Sequence, residues 1–152
     1  MASIRSGIGE SMEDRYLFKA KRLDNGEWVQ GYYVKGLDVF TNCEEAHIIF
    51  EPNTMFYSSG ETDGWYKVDP TTICQCTGLK DKNGNLIWEN DIVKDGHGNL
   101  YKAFWQNNYY QFSWICVKTD VFSIGAKWDL WSFKSFEIEV IGNIFDNPDL
   151  LK

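Results

Sequence analysis

The chain has 152 residues, enough for one domain of ordinary size or two small ones. Hydrophobic residues make up 43% and aromatics 16%, which supplies a core, excludes intrinsic disorder and favours strands over helices. The formal net charge of −7 gives a surface that repels phosphate, so non-specific nucleic-acid binding is disfavoured.

The opening MASIRSGIGES is Ser/Gly-rich and lacks the apolar core of a secretory signal. It reads as a flexible leader or a start-codon artefact over residues 1–11, with the folded domain over 12–152 and sub-units near 12–67 and 68–152. No apolar run approaches the ~20 residues of a membrane span. The expectation is therefore a cytoplasmic chain with no membrane partner.

In chain order, YLFKA and EWVQGYYV predict a hairpin turned at Asp24-Asn25-Gly26, because Asn-Gly between alternating runs is a strong hairpin signal. The basic residues Lys19, Lys21 and Arg22 read as solvated strand ends, as do Lys80 and Lys82. Short strands follow over 37–41 and 46–51, with a turn near Asn42. Residues 52–64 carry Pro, Asn, Ser and Gly in quick succession and read as the longest and most mobile loop. Asp69-Pro70 then punctuates the chain, with Asp69 as an Asx-type cap over a short helical stub at Thr71-Thr72.

Next comes the strand ICQCTG and a β-turn at Asp81-Lys82-Asn83-Gly84. In LIWENDIVKD the apolar parity breaks near Glu89-Asn90, which predicts a kink with Asn90 at positive φ. A turn around Gly96, Gly98 and Asn99 leads into NLYKAFWQ and YYQFSWICVK, strands separated at Asn107-Asn108. SIGAKWDLWSF holds a further short strand or loose turn. FEIEVIGNIF is the last strand, and Pro148–Leu151 reads as one helical turn capped by Asn147. No segment of twelve or more residues carries a helical apolar stripe. The predicted class is all-β with minor helical turns, a short-stranded barrel or sandwich.

Few groups point to chemistry. Cys43, Cys74, Cys76 and Cys116 read as reduced and structural. Cys74 and Cys76 share one strand face, at a spacing that is not the C-x-x-C of zinc and redox sites. Neither His47 nor His97 has a serine or cysteine partner at a telling position, so no cofactor, metal site or catalytic constellation is implied, and the chain reads as not an enzyme. Glu89 and Asp91 would share a face on a regular strand, the arrangement for a divalent cation, but the kink at Asn90 breaks it. Asp91 then accepts backbone N–H groups and Glu89 is solvated or salt-bridged. The aromatics Trp105, Tyr109, Tyr110, Phe112, Trp114, Trp128 and Trp131 favour core or interface packing. Of these, Trp105, Tyr109, Tyr110, Trp114, Trp128 and Trp131 form the candidate interaction surface. A stacking platform for single-stranded nucleic acid is the alternative.

The stretch VDPTTICQCTGLKDKNGNLIWENDIV resembles the core motif of the YopX family. The residues that carry the likeness include Asp69, Pro70, Gln75, Thr77, Gly78, Leu79, Asp81, Asn83, Gly84, Glu89 and Asp91. The ending EVIGNIFDNPDLL, with Gly142 and Asn143, is similar to the family's terminus, and RYLFKAKRLDNGEWVQGYYV resembles its opening more loosely. The similarity covers about residues 14–152. Two positions depart from the pattern: Cys76 stands for an aromatic residue and Asn90 for a glycine. The resemblance implies structural roles for these motif residues and an SH3-like barrel in the C-terminal half. It also implies a phage- or prophage-encoded accessory protein acting in a bacterial host. Its expected partner is a host or phage protein, or a second copy of itself.

Overall fold

A computed structural model describes residues 12–38, 43–56, 62–134 and 137–152. The chain is all-β. The first sheet contains β1 (Phe18–Lys21), β2 (Trp28–Asp38), β3 (Glu44–Phe56), β4 (Thr62–Lys67), β5 (Cys74–Lys80) and β6 (Leu86–Trp88), in the order β4-β3-β2-β1-β5-β6. The second contains β7 (Asp91–Asp95), β8 (Leu100–Gln106), β9 (Gln111–Lys118), β10 (Lys127–Asp129) and β11 (Ile138–Asn143), in the order β10-β9-β8-β7-β11. Every pairing is antiparallel. Short 3-10 turns span Met12–Tyr16, Pro70–Thr72, Leu130–Ser132 and Pro148–Leu151.

The turn chemistry sets the hairpins. Gly26 takes φ 73° in the β1–β2 connection, where its N–H donates to the Arg22 carbonyl at 3.0 Å. Asp69 caps the Pro70–Thr72 turn, its Oδ1 accepting the Thr71 N–H at 2.9 Å and the Thr71 hydroxyl at 2.7 Å. Asn90 adopts φ 68°. More than a kink results there: Glu89-Asn90 forms the corner at which the chain leaves the first sheet and enters the second.

Three local expectations are corrected. β2 runs unbroken to Asp38, so no separate strand begins at 37, and the turn near Asn42 lies outside the described residues. Residues 52–56 and 62–64 are strand rather than loop, because a register shift between Phe50 and Met55 absorbs Pro52 without ending the ladder. Thr54 ties the bulge, donating to Glu51 O at 2.6 Å and lying 2.9 Å from Gly64 O. Asn147 does not cap the last turn with its side chain, because its Oδ1 accepts the N–H of Asn143 at 3.2 Å instead.

The core falls into three clusters, the largest of which draws on both sheets. Ile87, Val93, Tyr101, Ala103, Trp114, Cys116 and Ile138 form the largest, with Leu79, Trp128, Leu130 and Phe133 against it. Ala20, Val29, Ile49 and Val68 form the second. Cys74, Cys76 and Trp88 form the third, at the seam between the sheets. The second sheet is a four-strand meander whose fifth strand returns to β7. Among the described residues no ladder joins β10 to β11, so the sheet is open, and of the expected barrel or sandwich it is the sandwich that fits. The outer edge of β11 is covered by the turn after β5: Lys82 N–H donates to Ile138 O at 3.0 Å, and Val140 N–H to Asp81 Oδ2 at 3.0 Å.

Candidate functional site

The loops Asp81-Lys82-Asn83-Gly84-Asn85 and Asp95-Gly96-His97-Gly98-Asn99 share the pattern Asp-x-x-Gly-Asn and one hydrogen-bond scheme. In each, Asp Oδ1 accepts the N–H groups two and four residues on, all at 2.9 Å, and Oδ2 accepts the Asn side-chain amide at 3.3 and 2.8 Å. Gly84 and Gly98 turn each loop at φ 84° and 88°. Burial would raise both carboxyls, but these donors outweigh it and hold Asp81 and Asp95 below the ordinary carboxylate range. Both carboxylates are therefore structural anchors rather than free acids or bases.

The two loops border a cleft of about 730 Å³. Tyr101, Phe122, Trp128 and Phe133 line it with rings: Tyr101 meets Trp128 edge-on at 5.4 Å and Phe133 at 4.7 Å, and Phe122 meets Trp128 at 5.4 Å. Tyr101 hydroxyl donates to Asp95 Oδ2 at 3.0 Å, and burial followed by this bond pushes its pKa up. The rim carries Lys82, Lys94, His97, Glu137 and Glu139, with Lys82 paired to Glu139 at 2.6 Å. Beside it the segment Val121-Phe122-Ser123-Ile124 turns its apolar residues to solvent, Val121 75% and Ile124 72% exposed.

A second cleft, of about 480 Å³, lies between the sheets. Arg15 and Tyr16 form one wall, Gln75–Thr77 the floor, and Trp105, Tyr110, Gln111, Phe112 and Trp131 the other side. Trp105 and Phe112 meet edge-on at 5.0 Å. Tyr110, at φ 53°, is 82% exposed, and Trp131 is 79% exposed.

The motif residues take structural positions. Gln75 amide donates to Arg15 O at 3.2 Å, and Thr77 hydroxyl donates to Ile87 O at 2.7 Å. Gly78, at φ 83°, leaves room for the Arg15 stem, and Leu79 packs on the largest core. Asp81, Asn83 and Gly84 build the first loop. Asn143 Oδ1 accepts the N–H groups of Phe145 and Asp146, both at 3.0 Å, and Gly142 abuts Asn147. A YopX protein family model matches residues 17–152. The chain belongs to the YopX family. No curated protein matches it. Membership fits the geometry, since the family signature falls on the turns, caps and corner that shape the two sheets.

The YopX signature also contains the carboxylates Glu89 and Asp91, and the corner at Asn90 separates them. Asp91 is buried, with Oδ2 accepting the Trp88 N–H at 2.9 Å and Oδ1 paired to Lys19 Nζ at 2.7 Å. Lys19 is thus not the solvated strand end expected of it. Burial raises Glu89, opposed by the backbone N–H groups of Gln75 and Trp105. Among the described residues no group of three or more His, Cys, Asp or Glu could hold a metal ion. Among the same residues no helix is long and apolar enough to cross a membrane.

Of the candidate surface aromatics, Trp105, Tyr110 and Trp131 meet in the second cleft, Trp128 lines the first, and Tyr109 is exposed on the turn between β8 and β9. Trp114 is fully buried, its indole N–H donating to Leu130 O at 3.1 Å, and belongs to the core. Sequence reading missed Arg15, Tyr101, Phe122 and Phe133. The repeat of Asp-x-x-Gly-Asn, which the sequence reading did not single out, is the signal that would have marked the walls of the first cleft.

Proposed function

We propose that this YopX protein is a non-enzymatic accessory protein, encoded by a phage or prophage and acting in the cytoplasm of its bacterial host. It works by binding a host or phage protein, or a second copy of itself. The observation that carries this reading is the exposed Val121-Phe122-Ser123-Ile124 segment beside an aromatic cleft whose carboxylates are held by local donors. Contiguous exposed apolar side chains around a concave aromatic surface are what protein interfaces bury at their centre. The Asp81 and Asp95 carboxylates supply rigidity rather than proton transfer, since each already accepts four hydrogen bonds. The meander with a returning fifth strand, and the 3-10 turn before that strand, supports an SH3-like reading of the C-terminal half.

The test is site-specific photo-crosslinking from position 124 in host cells, paired with light scattering of the purified protein. A discrete adduct, or a defined oligomer, that disappears in Phe122→Ser is the expected result. A monomer that yields no adduct from position 124, or an adduct that survives Phe122→Ser unchanged, overturns the reading.

A further inference from the structure

The second cleft carries features that a protein-binding face does not require. The exposed Arg15 lays its stem against Gly78, where even a Cβ would come within 2.6 Å of Arg15 Cγ, so the stem runs along the cleft wall. Among the described residues its guanidinium pairs with no carboxylate. Opposite it stand the exposed rings of Trp131, Tyr110 and Trp105. Gln75 and Gln111 both line the cleft with their Nε2 groups engaged, toward Arg15 O at 3.2 Å and Asp129 Oδ1 at 2.6 Å, and among the described residues neither Oε1 has a donor. Tyr110 keeps a bulky side chain at φ 53°, a conformation that a neighbouring asparagine would adopt more easily.

We propose that this cleft binds single-stranded nucleic acid, with unpaired bases stacked on Trp131, Tyr110 and Trp105 and one phosphate on Arg15. The ligand class follows from the three kinds of group present. Planar rings in the open take a planar partner, a guanidinium with no ion pair among the described residues takes an anion, and amide oxygens take N–H donors such as exocyclic base amines. A nucleotide with a free base offers all three, and a duplex hides its faces. The net charge of −7 works against the approach of phosphate, so this mode cannot draw on a positive surface and rests on stacking with a single phosphate contact. It therefore requires that binding depend only weakly on salt.

The experiment is fluorescence anisotropy of labelled single-stranded oligonucleotides, at several salt concentrations, with the full chain. Oligomers of deoxyadenosine or deoxycytidine should bind more tightly than those of deoxythymidine, which lacks an exocyclic amine. The slope of log K against log salt should be about −0.7, the value for one phosphate contact on a single strand. Trp131→Ala, at a site too exposed to affect folding, should weaken binding about tenfold. Arg15→Gln should flatten the salt slope, and Phe122→Ser, in the other cleft, should leave binding unchanged. No anisotropy change up to about 100 µM oligomer, or undiminished binding by Trp131→Ala, overturns the proposal. A response to a polyproline peptide with none to oligonucleotides also overturns it and assigns the groove to an extended protein segment.

Discussion

Lys19 on β1 and Asp91 on β7 form a buried ion pair, Nζ to Oδ1 at 2.7 Å, that bridges the two sheets across 72 residues of sequence. Lys19 Nζ lies over the Trp28 ring at 5.0 Å and the Trp88 ring at 5.6 Å, and Asp91 also accepts the Trp88 N–H. A buried pair of this kind contributes little beyond a well-packed apolar substitute, but losing one partner strands the other charge. Lys19→Met should therefore cost about 3–5 kcal/mol in urea unfolding. Adding Asp91→Asn, which keeps an acceptor for Trp88, should restore most of that loss. Burial, opposed by Lys19, already sets Asp91 above the ordinary carboxylate range. Without Lys19 it rises further. A carboxyl raised on folding loses stability as pH climbs above its unfolded value, and the wild type shares the first part of that loss, so the Lys19→Met penalty should grow once pH passes the raised wild-type value of Asp91. Full additivity of the two substitutions would refute the coupling.

Asp146 links the C-terminal segment to the first hairpin, accepting from Lys21 Nζ and Trp28 Nε1, each at 2.6 Å, and from Asn143 Nδ2 at 3.1 Å. The Lys21 hydrogen bond is the largest influence on its pKa, which falls to about 2. A carboxyl depressed on folding adds stability above its unfolded value, and that stability disappears as pH drops through the folded value. Stability should therefore decline between about pH 4 and pH 2, and Asp146→Asn should flatten the curve in that window. An unchanged acid limb in the variant would assign the loss to other carboxyls.

The punctuation of this fold was legible, and its packing was not. Asn25-Gly26, Asp81–Gly84 and the positive φ at Asn90 could be read directly, because each follows from the steric freedom of one or two residues. The same-face burial of Cys74 and Cys76 followed from strand period. Lys19 could not be read as buried, since its partner lies in another sheet. Nor could the fates of Trp114 and Trp131 be told apart: both sit among aromatics, and only the tertiary fold decides which face is covered. β3 continued through Pro52 because a bulge removed the conflict, which no local rule specifies. Arg15 reached the second cleft by contact with Gly78, far along the chain.

The thiols should divide sharply. Burial pushes Cys74 up to about 11 and raises Cys76 and Cys116, so these remain protonated and shielded at neutral pH. Cys43 is exposed. Alkylation of the native protein followed by mass spectrometry should mark Cys43 and leave the other three, and all four should react in denaturant. Rapid native labelling of Cys74 or Cys76 would mean that the seam between the sheets opens.

Gly31 on β2 faces the backbone of β3, where a Cβ would collide with the Phe50 carbonyl oxygen and carbon. Neither atom can rotate away as a side-chain tip would. Gly31→Ala should lower stability by about 2–3 kcal/mol, by forcing the two strands apart. Gly36, farther along the same strand with open space at its Cβ position, should accept alanine with little change. Equal effects at both positions in thermal unfolding would contradict the close approach.

Tyr110 couples stability to binding. Its left-handed backbone costs a residue with a Cβ about 1–2 kcal/mol, and a ring left 82% exposed recovers little of that by burial. Tyr110→Gly should therefore raise stability by about 1 kcal/mol. If the ring is a stacking surface, the same substitution should weaken oligonucleotide binding, so that the two properties move in opposite directions. Measuring both on one variant separates the alternatives. A more stable protein with unchanged binding would make Tyr110 a turn residue under strain, and a more stable protein that binds less would tie the strain to the ligand.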